Sequence, residues 1–333
     1  MLDIYSTCPS STGATPELFT RDMRVVAEWS EAAGIQGLLV FTDNTSIDPW
    51  NVAQFLIERT DNLVPLVAVQ PTYMHPFTAA RLVSTISSMY GRRIDLNLVT
   101  GGYKPHLNSL GCRLDHDERY DRLIEYGEIM ASLLSSEEPM MHLGAHYEMT
   151  DTVLLPPLPA GLLPRTFVAG SSTAAVYAAQ ALGALRLTYP RTLDAYEDNT
   201  RAFENTGIRF GIIARDTTAE AWRVARQRFP NDSLGEKIND AAARVFDAQW
   251  HNKLWQDAKR VRNLDDVYWL YPFRAAGEFC PYLVGNHEEV AEVLARYLLM
   301  GASTLILATP RHEDDYFHAL AAVRQAENLT TVS

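Results

Sequence analysis

Three short blocks carry residue types able to do chemistry: one lets the backbone approach a ligand closely, and two sit at helix starts that suit an anion. The first is Asn97-Leu98-Val99-Thr100-Gly101-Gly102. A strand-like run ends there in a polar residue and two glycines, which let the backbone come close to a ligand. The second is Asp115-His116-Asp117-Glu118-Arg119-Tyr120. His116 and Tyr120 are four apart and share a helix face, at the positive end of the helix dipole. The third is Val168-Ala169-Gly170-Ser171-Ser172-Thr173, a strand running through Gly170 into Ser171 and Ser172 at a helix start. Exposed N–H groups, hydroxyl donors and no bulky side chain are what a helix N-terminus offers a phosphate. Taken singly, each block also reads as ordinary structure: a strand-to-loop turn, a capped first turn, a serine cap.

Other constellations say less. His142 and His146 have the i, i+4 spacing of metal ligands, but Pro139 and Gly144 make a helix there a poor expectation, and no metal site is read. His312, with Asp314 and Asp315, follows an apolar run and reads as an acid/base group or a cap. There is no GxSxG elbow, no P-loop and no GxGxxG fingerprint, so a Rossmann dinucleotide site has no support. Tyr268-Trp269-Leu270-Tyr271-Pro272-Phe273 reads either as core or as a lid over an apolar ligand.

These blocks need elements to hold them. Short, nearly continuous apolar runs fall at 2–8, 37–41, 64–70, 94–100, 166–170, 185–189, 208–214 and 304–309. Runs without alternation imply burial on both faces, as in a parallel sheet covered by helices. Helix starts lie between them: Thr15-Pro16-Glu17, Asp48-Pro49, Pro76, Asp115, Ser171-Ser172 and Thr217-Thr218-Ala219-Glu220. Helical periodicity also covers 288–300 and 313–323. Eight strands alternating with helices predict an α/β protein, a (β/α)8 TIM barrel, with an open doubly wound sheet as runner-up. The expected domain is single, over 1–333. Two insertions break the repeat. The stretch 135–164 is proline-rich with room for a hairpin, and 230–286 mixes helical and aromatic-rich segments. In a barrel such loops lie over the C-terminal face, where the chemistry sits.

Composition narrows the function. The 333 residues carry 47% hydrophobic and 21% charged side chains, which rules out disorder as the dominant state. A formal charge of -12 disfavours a general nucleic-acid role. Cys8, Cys112 and Cys280 form no CxxC pair, so neither a disulfide framework nor a cysteine zinc site is read. The start, Met1-Leu2-Asp3-Ile4-Tyr5, has no signal-peptide pattern, and no apolar run approaches the ~20 residues of a membrane span. A cytoplasmic protein is expected.

Taken together and in this order, the blocks resemble the bacterial luciferase-like flavin-dependent monooxygenases, nearest to the alkanesulfonate monooxygenase subgroup. The resemblance rests on Leu96-Asn97-Leu98-Val99-Thr100-Gly101, Leu114-Asp115-His116-Asp117-Glu118-Arg119-Tyr120, Ala169-Gly170-Ser171-Ser172 and Leu283-Val284-Gly285. Gln70-Pro71, Ala79-Ala80-Arg81, Tyr297 and Gly301 add to it. It implies a TIM-barrel enzyme that takes reduced FMN from a separate flavin reductase. It implies oxygen activation as a flavin C4a-(hydro)peroxide and transfer of one oxygen atom to an organic substrate. It implies flavin contacts at Asn97, Thr100, Gly101, Tyr120, Gly170, Ser171 and Ser172. His116 and Tyr297 are the side chains expected to assist proton transfer. A homo-oligomer is also expected.

The sequence departs from the alkanesulfonate pattern. Ser46 stands where that subgroup has a cysteine, the run 208–214 is apolar after Arg209 with no histidine, and the tail after the last helix is brief. A sulfonate needs paired positive charges. An apolar or carrier-tethered substrate, as in natural-product pathways, fits better by analogy. Three rivals remain: a non-catalytic flavin-binding barrel, a deazaflavin-dependent oxidoreductase on the same scaffold and, last, a metal-dependent barrel hydrolase.

Overall fold

The computed structural model describes residues 2–243, 245–260 and 266–332. The chain opens with β1 (Asp3–Thr7), α1 (Pro16–Ala32), β2 (Gly37–Val40), α2 (Pro49–Ile57), β3 (Val64–Val69) and α3 (Pro76–Tyr90). It continues with β4 (Asp95–Leu98), α4 (Lys104–Ser109), α5 (His116–Ser135), β5 (Met140–Leu143), β6 (Glu148–Thr152), β7 (Thr166–Ala169), α6 (Thr173–Ala181) and β8 (Leu185–Thr188). After these come β9 (Thr206–Arg215), α7 (Thr218–Arg228), α8 (Ser233–Ala243), α9 (Gln249–Arg260), β10 (Tyr268–Trp269) and α10 (Tyr271–Ala275). The last elements are β11 (Tyr282–Asn286), α11 (His287–Leu299), β12 (Ala302–Leu307) and α12 (Glu313–Val332).

The expected helix starts form where local chemistry puts them. Asp48 accepts from Trp50 N and Asn51 N ahead of Pro49. Asp115 and Glu118 make a reciprocal capping box at α5. Ser172 accepts from Ala175 N and Thr217 from Glu220 N. Asn286 and Glu289 form a second capping box, at α11. Each satisfies N–H groups that a helix leaves unpaired in its first turn.

The strand order β1-β2-β3-β4-β7-β8 continues through a β8–β9 pairing to β12, which returns to β1. These are the eight strands expected from the sequence, closed as a (β/α)8 barrel. The chain packs as two compact units, 8–31 with 36–186, and 1–7 with 32–35 and 187–333. In the first, β2 to β4 and β7 pair in parallel in chain order. Its core gathers Val67, Leu96, Leu98 and Val168 beneath Leu123, Tyr126 and Ile129 of α5. In the second, the ten-residue β9 pairs with β12 along one half and with β11 along the other. Ile213, Trp222, Phe229, Trp269, Tyr282 and Val284 pack together there.

Some expectations needed correction. β11 is a strand the sequence pattern does not signal: five residues containing a glycine, after an aromatic-rich stretch, give too short a pattern. The insertion 230–286 is mainly helical, with α8, α9 and α10; its positions 244 and 261–265 lie outside the described residues. α12 runs on to Val332, beyond the expected 323. The insertion 135–164 does hold a hairpin, β5 with β6. Among the described residues, no helix is long and apolar enough to cross a membrane.

The hairpin is latched to α5 by one carboxylate. Glu125 accepts from the backbone N–H of His146 (3.0 Å) and Tyr147 (2.8 Å), and its Oε1 lies 2.9 Å from His142 Nε2. Burial alone would raise the Glu125 pKa, but the His142 and backbone hydrogen bonds outweigh it and hold the carboxyl below its ordinary value. A group depressed in this way stabilises the fold above the usual glutamate range of ~4.3 and loses that contribution as pH falls through its lowered pKa. Hydrogen exchange measures this latch. Glu125→Ala should speed exchange at the His146 and Tyr147 amides by about tenfold or more at neutral pH, the cost of losing charged hydrogen bonds. Amides of α5 should stay protected, and the wild-type latch should persist until pH drops below ~4.3.

Candidate functional site

The sequence blocks meet at the ends of three neighbouring strands. The register pairs Val69 of β3 with Leu98 of β4, and Leu98 with Val168 of β7. The residues that follow these strands are therefore set side by side: Gln70, then Thr100 and Gly101, then Gly170 and Ser171. Gly101 has φ +76°, and a Cβ there would lie 3.1 Å from the Gln70 amide. Gln70 and Thr100 are both buried.

Tyr120, on the second turn of α5, donates its hydroxyl to the Ala169 carbonyl at 2.9 Å. This contact sets the space at Gly170. Its φ is +146°, a Cβ there would run into the Tyr120 hydroxyl, and it would lie 2.6 Å from the Ala175 Cβ. Glycine alone meets both demands. The His116 ring lies 5.2 Å from that of Tyr120, and its Nδ1 is 2.6 Å from Asp117 Oδ1. His116, Tyr120, Gly170, Ser171 and Ser172 thus form one continuous patch at the joint starts of α5 and α6.

The hydrogen-bond inventory of this patch is incomplete in a telling way. Asn97 Oδ1 and Ser171 Oγ are buried atoms without a partner. The Thr100 hydroxyl has a weak 3.4 Å contact to the Gly101 carbonyl. Ser172 is committed differently, since its Oγ accepts from Ala175 N at 3.1 Å and caps α6. A buried polar group left unpaired costs about 1–3 kcal/mol, so such atoms mark places where a ligand can supply the partner. Sequence reasoning missed Arg122, which reaches Thr72 Oγ1 at 2.8 Å and Cys112 Sγ at 3.8 Å while its Nε has no partner. It puts a cation beyond the end of β3. Its position two residues after Tyr120 gave no signal of this, because the partners come from a distant segment.

Tyr297 lies in the other unit, and its surroundings correct the role expected of it. It is fully buried on α11, donates its hydroxyl to the Arg191 carbonyl at 2.6 Å, and packs edge-on against Phe203. Burial pushes its phenol well above the ordinary range. That is a tyrosine tying a helix to a loop, with no free proton to offer. The aromatic run is corrected in the same way. Tyr268, Trp269, Leu270 and Phe273 are buried in the core of this unit rather than poised as a lid. Next to Phe273 sits a histidine that sequence reasoning overlooked. His251 stacks on Phe246 at 4.3 Å and lies 5.2 Å from Phe273, and its Nδ1 has no partner. Burial pulls its pKa down from 6.5 to about 4.

The sequence has clear relatives. Residues 5–304 match the profile of the family described as Luciferase-like monooxygenase. A curated relative from Niallia circulans, 4-(gamma-L-glutamylamino)butanoyl-[BtrI acyl-carrier protein] monooxygenase BtrO, is 32% identical over 299 residues, or 88% of this chain and 87% of that protein. Among solved structures, riboflavin lyase RcaE with modified FMN and riboflavin superposes with a TM-score of 0.76 at 17% identity, covering 98% of this chain and 92% of that one. EDTA monooxygenase EmoA from Chelativorans sp. BNC1 gives 0.73 at 16% identity, covering 99% and 94%. At such identities the structures speak for the fold alone.

Two measurements test this geometry. Gly170→Ala should cost about 1–3 kcal/mol in chemical denaturation, the usual range for overpacking, with positive φ adding to it. A midpoint equal to wild type would mean that Tyr120 yields freely. His251 should stay neutral in an NMR titration until pH approaches about 4. Because its folded pKa lies below the unfolded value, it withdraws stability as pH falls from about 6.5 towards 4.

Proposed function

The chain belongs to the luciferase-like monooxygenases, flavin-dependent oxygenating enzymes, and from that premise we propose that it is a two-component enzyme using reduced FMN. It inserts one oxygen atom into an acyl substrate carried on a carrier protein. One observation supports the cofactor most: the unpartnered Asn97 Oδ1 on β4 and the unpartnered Ser171 Oγ just before the α6 start. An N–H donor can meet the first, and a phosphate oxygen can meet the second together with the first-turn N–H groups of α6. The residues present therefore fit FMN. The carrier-bound substrate is inferred from the named activity of the 32% identical relative.

In this reading Ser171, Ser172 and the α6 N-terminus hold the phosphate, and Thr100, Gly101 and Asn97 bound the rest of the cofactor. Gly170 keeps the phosphate approach clear of any side chain. Tyr120 fixes α5 against the end of β7, and so fixes that approach. His116, partly exposed and set against the Tyr120 ring, holds or moves a proton at its imidazole. Bound reduced FMN supplies the electrons that activate dioxygen. No dinucleotide fingerprint is present, so reducing power comes from a separate flavin reductase. The reading takes 1–333 as one domain of a cytoplasmic homo-oligomer that acts in natural-product assembly.

The two serines separate binding from folding. Ser171→Ala removes a hydroxyl with no partner in the protein itself, so FMN affinity should fall about tenfold while stability holds or rises. Ser172→Ala removes a helix cap and should also cost about 1 kcal/mol of stability. Equal FMN affinity in both variants and wild type would refute the phosphate assignment. Oxygen uptake with reduced FMN and a carrier-loaded acyl substrate tests the reaction. Turnover of the free acid at the same kcat/KM would remove the carrier, and binding of reduced deazaflavin in preference to reduced FMN would replace the cofactor. NAD(P)H oxidation by the purified chain with FMN alone would remove the reductase.

A further inference from the structure

A second cluster of chemistry-bearing side chains lies in the unit that contains β9, β11 and α12, and the proposed reaction does not use it. β9 and β11 run parallel with Arg215 paired to Asn286. The next residue on each, Asp216 and His287, is therefore brought to the same level. α12 packs along α11 and adds His318. His287 Nε2 and His318 Nδ1 are 2.9 Å apart, and the two rings are nearly parallel at 18° with centroids 5.1 Å apart. Asp216 Oδ1 is 3.9 Å from His287 Nδ1. One nitrogen of each imidazole and one Asp216 oxygen all lie within 4.8 Å of one another, the one such group among the described residues.

We propose that Asp216, His287 and His318 form a binding site for a borderline divalent transition-metal ion such as Zn2+. Tetrahedral zinc holds nitrogen and carboxylate ligands at about 2.0–2.2 Å, which puts ligand atoms about 3.3–3.6 Å from each other. The two imidazoles are already closer than that and need to part by only a few tenths of an ångström. Asp216 must move inward by about an ångström to reach the same ligand spacing. Its side chain is 78% exposed, so nothing holds it back. Two imidazoles and a carboxylate favour Zn2+, Co2+, Ni2+ or Cu2+ over Mg2+ and Ca2+, which prefer all-oxygen sites. Three protein ligands leave a fourth position for water. The ion would clamp the β9–α7 turn, the first turn of α11 and α12 to one another.

The test uses the untagged full chain, stripped with a chelator and titrated with Co2+ by visible absorption and with Zn2+ against a chromophoric competitor. Wild type should bind one equivalent, and Zn2+ at a hundredfold excess over Kd should raise Tm by roughly 4 °C. Mg2+ should do neither. Asp216→Ala changes an exposed side chain and His318→Gln keeps a helix-compatible residue, so circular dichroism should show both folded. Each should weaken Zn2+ binding at least about tenfold, in line with the loss of one metal ligand. His142→Ala, which alters the histidine held by Glu125, should bind as wild type does. Absence of stoichiometric Zn2+ binding by folded wild type would overturn the site and leave a plain histidine pair. So would Zn2+ affinity unchanged by either ligand substitution, or affinity lost in His142→Ala.

Discussion

The Tyr120 hydroxyl donating to the Ala169 carbonyl is the contact on which the candidate site depends. It joins the first turns of α5 to the end of β7. Because Tyr120 takes that space, residue 170 must be glycine. Because residue 170 is glycine, the chain can turn sharply from β7 into α6 and leave the helix N-terminus uncovered. His116 rides on the same ring. A single neutral hydrogen bond contributes only about 1 kcal/mol to stability. Its weight here lies in the geometry it imposes on five residues.

Around that contact the protein leaves polar atoms unpaired. Asn97 could have been an apolar residue in a strand buried along its whole length. Its buried Oδ1 makes no partner within the fold, and Ser171 Oγ makes none either. Each costs stability as the chain stands. Other polar groups of the same unit are matched: Glu125 takes three hydrogen bonds, and Asp115 and Glu118 close a capping box. Other buried atoms of this unit also lack partners, among them Trp50 Nε1, Ser87 Oγ and Tyr126 Oη, but Asn97 and Ser171 are the ones that fall in the strand and helix-start blocks.

The other unit holds closely made ion pairs. Asp315 is clamped between Arg215 and Arg228 at 2.8 and 2.7 Å, and Arg191 grips Asp257 through two hydrogen bonds of 2.7 Å. Removing one partner from the Arg215–Asp315–Arg228 cluster strands a buried charge, so that cluster fixes the arrangement of β9, α7 and α12 more than it adds to net stability. This fixed frame is what holds His287 against His318 at 2.9 Å. An adaptable surface would not keep two imidazoles that close.

The sequence by itself determined the elements and the strand-end blocks. Strand burial and helix caps are decided by residues within a few positions of each other, so the eight barrel strands and the starts at Asp48, Asp115, Ser172 and Thr217 were legible one segment at a time. The blocks at 97–101, 116–120 and 170–172 were legible for the same reason, since each sits at a predictable strand end or helix start. Only the tertiary structure decided what depends on distant partners. Tyr297 looked like a proton-transfer group until the Arg191 carbonyl took its hydroxyl, 106 positions away. The aromatic run at 268–273 looked like a lid, but Trp269 and Tyr271 pack with α7 and β11, and Phe273 with His251 and Trp255 of α9. Arg122 gained meaning from Thr72, and Glu125 from a hairpin about twenty residues on. Asp216, His287 and His318 share no motif in the chain. A parallel register and one helix pairing bring them together, and neither can be read from any single stretch of sequence.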